Sequence, residues 1–213
     1  MTVMTAARSP LAPDAPSRPG LRERKKIKTR QAIRSAAYAL IEEQGYDSTT
    51  IEQIADRAEV SPSTVFRYFP TKEDIVITDE YDEPLLAELA ARPADEPWTD
   101  SFRYVVRKAV RLAMAEEPEV TRLRARLLLE APALRARMLE ALTGTGRMLA
   151  DAIAARTGLD ADALEVRVHA MSLIGGLLEA TMYWAEHCHR DDYADLADRA
   201  FDVIEHGLPA AKS

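Results

Sequence analysis

A single cysteine, Cys188, in 213 residues excludes an internal disulfide framework and fits a reducing compartment. No apolar run approaches the roughly eighteen residues that would span a bilayer, and the first twenty residues lack the apolar core of a signal peptide. Catalytic signatures are missing as well. There is no His-Glu-x-x-His, no phosphate-binding loop and no nucleophile elbow, and Gly144-Thr145-Gly146 lacks the third glycine and the preceding strand of a dinucleotide loop. Nor does any stretch alternate apolar and polar residues as a half-buried strand would. These absences predict a soluble, cytoplasmic, all-α protein of one or two domains that is not an enzyme and carries no cofactor. With 47% hydrophobic residues the chain can bury a core.

The most informative stretch is Thr49 to Asp74, TTIEQIADRAEVSPSTVFRYFPTKED, which reads as two short helices meeting at a tight turn. Thr49 or Thr50 can cap the first, and Ile51, Ile54, Ala55 and Ala58 give it one apolar face. Val60 plugs the turn. Ser61 then caps the second helix, with Pro62 at its first position, where the missing N–H costs nothing. Val65 and Phe69 lie four apart and face inward, leaving Ser63, Thr64, Phe66, Arg67 and Tyr68 outward or on the rim. Hydroxyls, a guanidinium and aromatics suit a DNA major groove, where Arg takes guanine bidentately and apolar groups meet a thymine methyl.

These residues resemble the N-terminal domain of the TetR family of transcriptional regulators, through Thr50, Ile54-Ala55, Ala58, Val60-Ser61, Phe66, Tyr68-Phe69 and Lys72-Glu73. Helix order and length agree with the family from about Arg22 onward. Two positions depart from it. Glu59 stands where glycine is usual in the turn, at a cost of about 1 kcal/mol if that residue is left-handed. Phe66 stands where tyrosine is commoner. The resemblance implies a helix-turn-helix head, a helix that transmits ligand occupancy to it, and a helical body that dimerises through a four-helix face.

Net charge is −7, but it is unevenly spread. Residues 1–72 carry 12 Lys+Arg and 8 Asp+Glu, whereas residues 73–213 carry 16 and 27. A basic head on an acidic body is the electrostatic footprint of DNA binding at one end. The Pro-rich segment 1–20 is expected to be disordered, either lying in a minor groove or simply solvated. The first helix is predicted from Leu21 to Gln44, stopped by Gly45, with Lys28, Thr29 and Arg30 as candidate phosphate contacts that give affinity rather than sequence choice. Thr49, Thr50 and Ser61 join these, and Lys72 is placed at a helix N-terminus, a favourable position for a phosphate.

The head is thus expected at 21–70, a connecting helix at 71–92 bent at Pro84, and a ligand-binding and dimerisation domain at 93–213, about nine helices in all. The body is read as helices from Trp98 to Ala115, Pro118 to Glu130, Pro132 to Thr157, Ala161 to His187 and Asp192 to His206. The helix from Ala161 is apolar on more than one stripe. Leu173, Gly176, Leu177, Ala180, Tyr183 and Trp184, with Phe201 and Ile204 of the last helix, are the predicted homodimer face, against a reading of all of them as monomer core.

For an effector, the adaptable apolar candidates are Trp98, Phe102, Leu127, Met138, Leu142 and Met171, with Glu179 as a polar one. Gly144 and Gly146 leave room for a ligand, let another helix approach, or mark a kink. Arg122 and Arg126 with Arg135 and Arg137 allow an anionic ligand, with surface pairing as the plainer reading. Glu186, His187, Cys188, His189 and His206 were weighed as metal ligands and none is assigned, since successive helical side chains diverge by about 100°. The favoured function is a dimeric regulator, a repressor, that binds double-stranded DNA at a palindromic operator and is released by a small apolar effector, with no membrane partner. The alternative is a DNA-binding regulator with no small-molecule inducer.

Overall fold

The structure, a computed structural model, describes residues 20–78 and 82–208, which form ten helices and no strand among them. The predicted tail 1–20 lies outside the described residues apart from Gly20. Helix α1 (Leu21–Gln44) ends at Gly45, whose φ of 85° only glycine adopts freely. Helix α2 (Ile51–Arg57) starts in a capping box of Thr50 with Gln53, and α3 (Pro62–Tyr68) starts at the Ser61 cap. Ile33, Ala37 and Leu40 of α1 close over Ile54, Ala55, Val65 and Phe69 to make the head's core.

The connecting segment is not one helix bent at Pro84 but two. Helix α4 (Lys72–Ile77) stops at Thr78, where the backbone turns extended (φ −75°, ψ 126°), and α5 (Asp82–Ala91) follows. The cause is local. Ile75, Val76, Ile77 and Thr78 are four β-branched residues in a row, poor at continuing a helix. Pro84 falls in the first turn of α5, where a missing N–H breaks no intrahelical bond. This break makes ten helices where about nine were expected.

The body comprises α6 (Trp98–Glu116), α7 (Pro118–Glu130), α8 (Pro132–Thr157), α9 (Leu164–Glu186) and α10 (Tyr193–His206). Helix α9 packs on α7, α8 and α10 at once. Its approach to α10 depends on Gly176, where a Cβ would lie 2.8 Å from Ile204. Gly146 of α8 does the same for Met171, so helix approach accounts for Gly146, and α8 is one continuous helix through both glycines.

Close packing of this kind overturns most of the predicted dimer face. Leu173, Ala180, Trp184 and Phe201 are buried within the chain, Gly176 and Ile204 meet each other, and Leu177 faces an internal cavity. Of the eight, only Tyr183 is exposed. Because α9 is apolar on every side, periodicity could not say which stripe its own body takes.

The turn between α5 and α6 is held by two arginines. Arg156 of α8 donates to the carbonyls of Leu89, Arg92, Pro93 and Glu96. Arg92 and the Ser101 hydroxyl both donate to the Glu96 carboxylate, in that order of importance, holding its pKa down at about 2 against an ordinary 4.5. A depressed carboxylate contributes stability above its unfolded pKa and loses it as pH falls toward the folded one. The melting temperature of the native chain is therefore expected to fall more steeply between pH 4.5 and 2 than that of Glu96→Gln. Parallel curves in a pH series of thermal melts would show that the pair adds nothing.

Candidate nucleic-acid interface and the cavity behind it

The turn between α2 and α3 is tight because the Val60 N–H donates back to the Ala55 carbonyl at 2.9 Å. Glu59 sits in it at φ 54°, left-handed without being glycine. Glu59→Gly is expected to stabilise the chain by about 1 kcal/mol, read as a rise in melting temperature; no rise would mean the glutamate side chain compensates elsewhere.

Ser61 accepts the Thr64 N–H at 3.2 Å, and its hydroxyl lies 2.9 Å from those of both Ser63 and Thr64. Val65 and Phe69 are buried, which turns Ser63, Phe66 and Arg67 to solvent, with Thr64 and Tyr68 on the rim. Phe66 is half exposed. The Arg67 guanidinium lies over the Tyr68 ring at 5.4 Å and has no ion partner among the described residues. On α1, Lys28 is exposed, the Thr29 hydroxyl donates to the Lys25 carbonyl, and Arg30 spans to the Tyr68 carbonyl and the Phe69 ring, bracing α3.

Two predicted contacts are placed elsewhere. Thr49 is 1% exposed, its hydroxyl donating to the Gly45 carbonyl, so it is part of the α1–α2 joint and Thr50 alone is the cap. The Lys72 ammonium is drawn inward, donating to the carbonyls of Tyr46 and Thr49 at 2.8 and 3.0 Å while lying over the Tyr46 ring. Beside it the Tyr46 hydroxyl donates to Glu73, and burial together with that carboxylate pushes the phenol's pKa up.

Behind the head lies a cavity of about 500 Å³, bounded by α4, α6, α7, α8 and α9 and by Tyr193 of α10. Of the seven effector candidates, Met138 and Leu142 are in its lining and the other five are not. Trp98 and Phe102 meet ring to ring at a tilt, as do Phe102 and Phe201, in the body's core. Leu127 is buried where head and body meet, Met171 rests against Gly146, and Glu179 points to solvent.

At one end of the cavity stand three charged residues that periodicity did not single out. Asp74, 5% exposed, takes Arg137 Nε on Oδ1 at 2.9 Å and caps its own helix by accepting the Thr71 N–H on Oδ2. Arg124 donates to the carbonyl of Ile77, the last residue of α4. Helix α4 is thus gripped near its start by α8 and at its end by α7. Its other face supplies Ile75 to the head's core.

The comparisons with known proteins decide the family. Residues 33–77 match the family described as bacterial regulatory proteins, tetR family, and residues 96–209 match the MftR C-terminal domain. The chain belongs to the TetR family of transcriptional regulators. The transcriptional regulator TcmR of Streptomyces glaucescens is 38% identical over 171 residues, 72% of this chain and 71% of that protein. Among solved structures, Thermus thermophilus FadR, a TetR-family transcriptional repressor in complex with lauroyl-CoA, shares the fold with a TM-score of 0.55 at 22% identity, covering 86% of this chain and 97% of its own. The SmeT–triclosan complex, SmeT being the repressor of a Stenotrophomonas maltophilia multidrug efflux pump, shares it with a TM-score of 0.57 at 18% identity, covering 86% and 96%. TetR-family membership marks the chain as a DNA-binding regulator rather than an enzyme.

Proposed function

We propose that this TetR-family regulator is a ligand-responsive dimeric repressor that holds a palindromic operator and is released when a small apolar effector fills the cavity. The observation that carries the reading is that one short helix belongs to both sites. Val76, Ile77 and Thr78 of α4 wall the cavity while Ile75 anchors the same helix in the head. An effector whose bulk favours a different α4 position biases the heads toward a spacing the operator does not match. The lining is mostly apolar and its volume lies within the ordinary range for small-molecule sites, roughly 300–1,000 Å³. FadR with lauroyl-CoA and SmeT with triclosan, proteins of the same fold, are both named as complexes with small molecules, the first carrying a lauroyl chain, which supports an effector with an apolar part.

The division of labour follows: a head at 21–70, a connector at 71–92 and an effector and dimer domain at 93–213. DNA contacts come from Ser63, Thr64, Phe66, Arg67 and Tyr68 in the major groove, and from Lys28, Thr29, Thr50 and Ser61 along the backbone. For the dimer, Leu164, Val168 and Met171 form an exposed stripe along the first half of α9, and Tyr183 further along α9 and Val203 on α10 are exposed apolar residues as well. Pairing this stripe about a two-fold axis sets two recognition helices a whole number of DNA turns apart. The work is cytoplasmic, and no helix among the described residues is long and apolar enough to cross a membrane.

Selection from random-sequence DNA, with sedimentation of the free protein, tests this reading. A dimer that enriches a palindrome supports it. A monomer, or binding that enriches no sequence, contradicts it.

A further inference from the structure

A second cavity, of about 360 Å³, lies at the turn between α9 and α10. It adjoins the central one. Val110, Trp184 and Tyr193 belong to both linings, and along α7 Thr121 faces the central cavity while the next residue, Arg122, faces the second. The two cavities therefore adjoin along α6 and α7 and meet at the stacked Trp184 and Tyr193 rings, whose centroids are 4.7 Å apart.

Their chemistry differs. The second chamber is lined by the guanidiniums of Arg111, Arg122 and Arg190 and by His189. Arg122 is paired with Glu119, but Arg111 and Arg190 have no hydrogen bond or ion pair among the described residues. Of the two carboxylates in the same lining, Asp192 is engaged in capping α10 through the Asp195 N–H. His189 is held in place by backbone geometry. Cys188 and His189 are both left-handed (φ 55° and 57°), which sets the imidazole edge-on to Trp184 at 4.4 Å. Its Nε2 is buried there without a hydrogen-bond partner. Burial, then Arg122 and Arg126, lower its pKa, so the ring is neutral near pH 7 and brings no positive charge of its own. Two exposed guanidiniums without a protein partner, beside a buried and orphaned ring nitrogen, suit an oxyanion, with Asp191 the one carboxylate of the lining that opposes it. In a body that carries 27 acidic residues against 16 basic ones over 73–213, the charge of this patch runs against its surroundings.

We propose that the chamber at the α9–α10 turn receives the anionic head of the effector whose apolar part fills the central cavity, with Arg111 and Arg190 as its charge contacts and His189 as a hydrogen-bond partner. The effector class is accordingly an apolar chain or ring system ending in a phosphate or carboxylate. This rests on the central cavity being the effector site.

Calorimetric titration of the full chain with 1-decanol and with decyl phosphate separates the two claims. Decyl phosphate is expected to bind roughly tenfold or more tightly. Arg111→Ala combined with Arg190→Ala is expected to abolish that preference and leave 1-decanol binding unchanged, which also shows the variant is folded. Equal affinities in the native chain, or a preference that survives both substitutions, would overturn the proposal while leaving the central cavity as an apolar site. Inorganic phosphate binding as tightly as decyl phosphate would reveal an anion site unconnected to the cavity and would overturn it too. Binding of neither decyl compound would remove the effector reading itself.

Discussion

Arg67→Ala is expected to lower affinity for the selected operator about ten- to a hundredfold while leaving the melting temperature unchanged. A bidentate arginine–guanine contact contributes about 1–3 kcal/mol of discrimination. Arg67 is exposed and, among the described residues, lies against the Tyr68 ring without an ion partner, so little folding stability depends on it. The loss should be confined to the operator, with binding to random DNA little changed, because non-specific affinity comes from phosphate contacts. Lys28→Ala should behave in the opposite way, weakening all sequences alike and reducing the salt dependence. Fluorescence anisotropy on operator and scrambled DNA at two salt concentrations reads both. An unchanged operator affinity for Arg67→Ala would mean that α3 does not read bases through this side chain.

The second large effect is expected at Asp74, whose carboxylate both completes the Thr71 capping box of α4 and ties that helix to α8 through Arg137. Asp74→Ala removes both. The lost half of the capping box contributes up to about 1 kcal/mol, the Thr71 cap itself being retained, and the ion pair adds up to about 1 kcal/mol more because Arg137 is more than a third exposed and screened by water. Folding stability should thus fall by up to about 2 kcal/mol. Asp74→Asn keeps a capping oxygen and loses the charge, so it should cost less. The functional consequence is expected to be the larger. If α4 transmits cavity occupancy to the head, both variants should bind effector yet release operator poorly, with the coupling factor falling toward one from the roughly 5- to 150-fold typical of allosteric pairs. Undiminished release in both variants would place the transmission elsewhere, with Arg124 and the Ile77 carbonyl as the remaining link.

What could be read from the sequence and what could not divide along the range of the interactions. The bounds of α1 and the start of α3 were legible because Gly45, Ser61 and Pro62 act within a turn of themselves. The break after Ile77 was missed because Pro84, the louder local signal, sits in a first turn that tolerates it, whereas the run of β-branched residues acts quietly. Arg137 and Asp74 are 63 positions apart, and an acid in a first turn reads as a cap and nothing more. No periodicity could have joined them. Leu173, Ala180 and Trp184 of the predicted dimer face are buried within the chain because α9 is apolar on more than one stripe, and which stripe is inner depends on where Gly146 and Gly176 let neighbouring helices approach. Arg111 and Arg190, the proposed contacts for an anionic head, each resemble an ordinary surface arginine in the sequence. Their significance appears only once the α9–α10 turn brings them around His189.

The most direct test of the account is to add 1-decanol to the complex of protein with its selected operator and follow anisotropy, with calorimetry to confirm that the alcohol is bound. The account predicts that occupancy of the cavity lowers operator affinity several-fold or more, and that Asp74→Ala blunts the response. Operator affinity that stays constant while the cavity is demonstrably filled would contradict it, because α4 would then be a wall of the cavity without being its messenger.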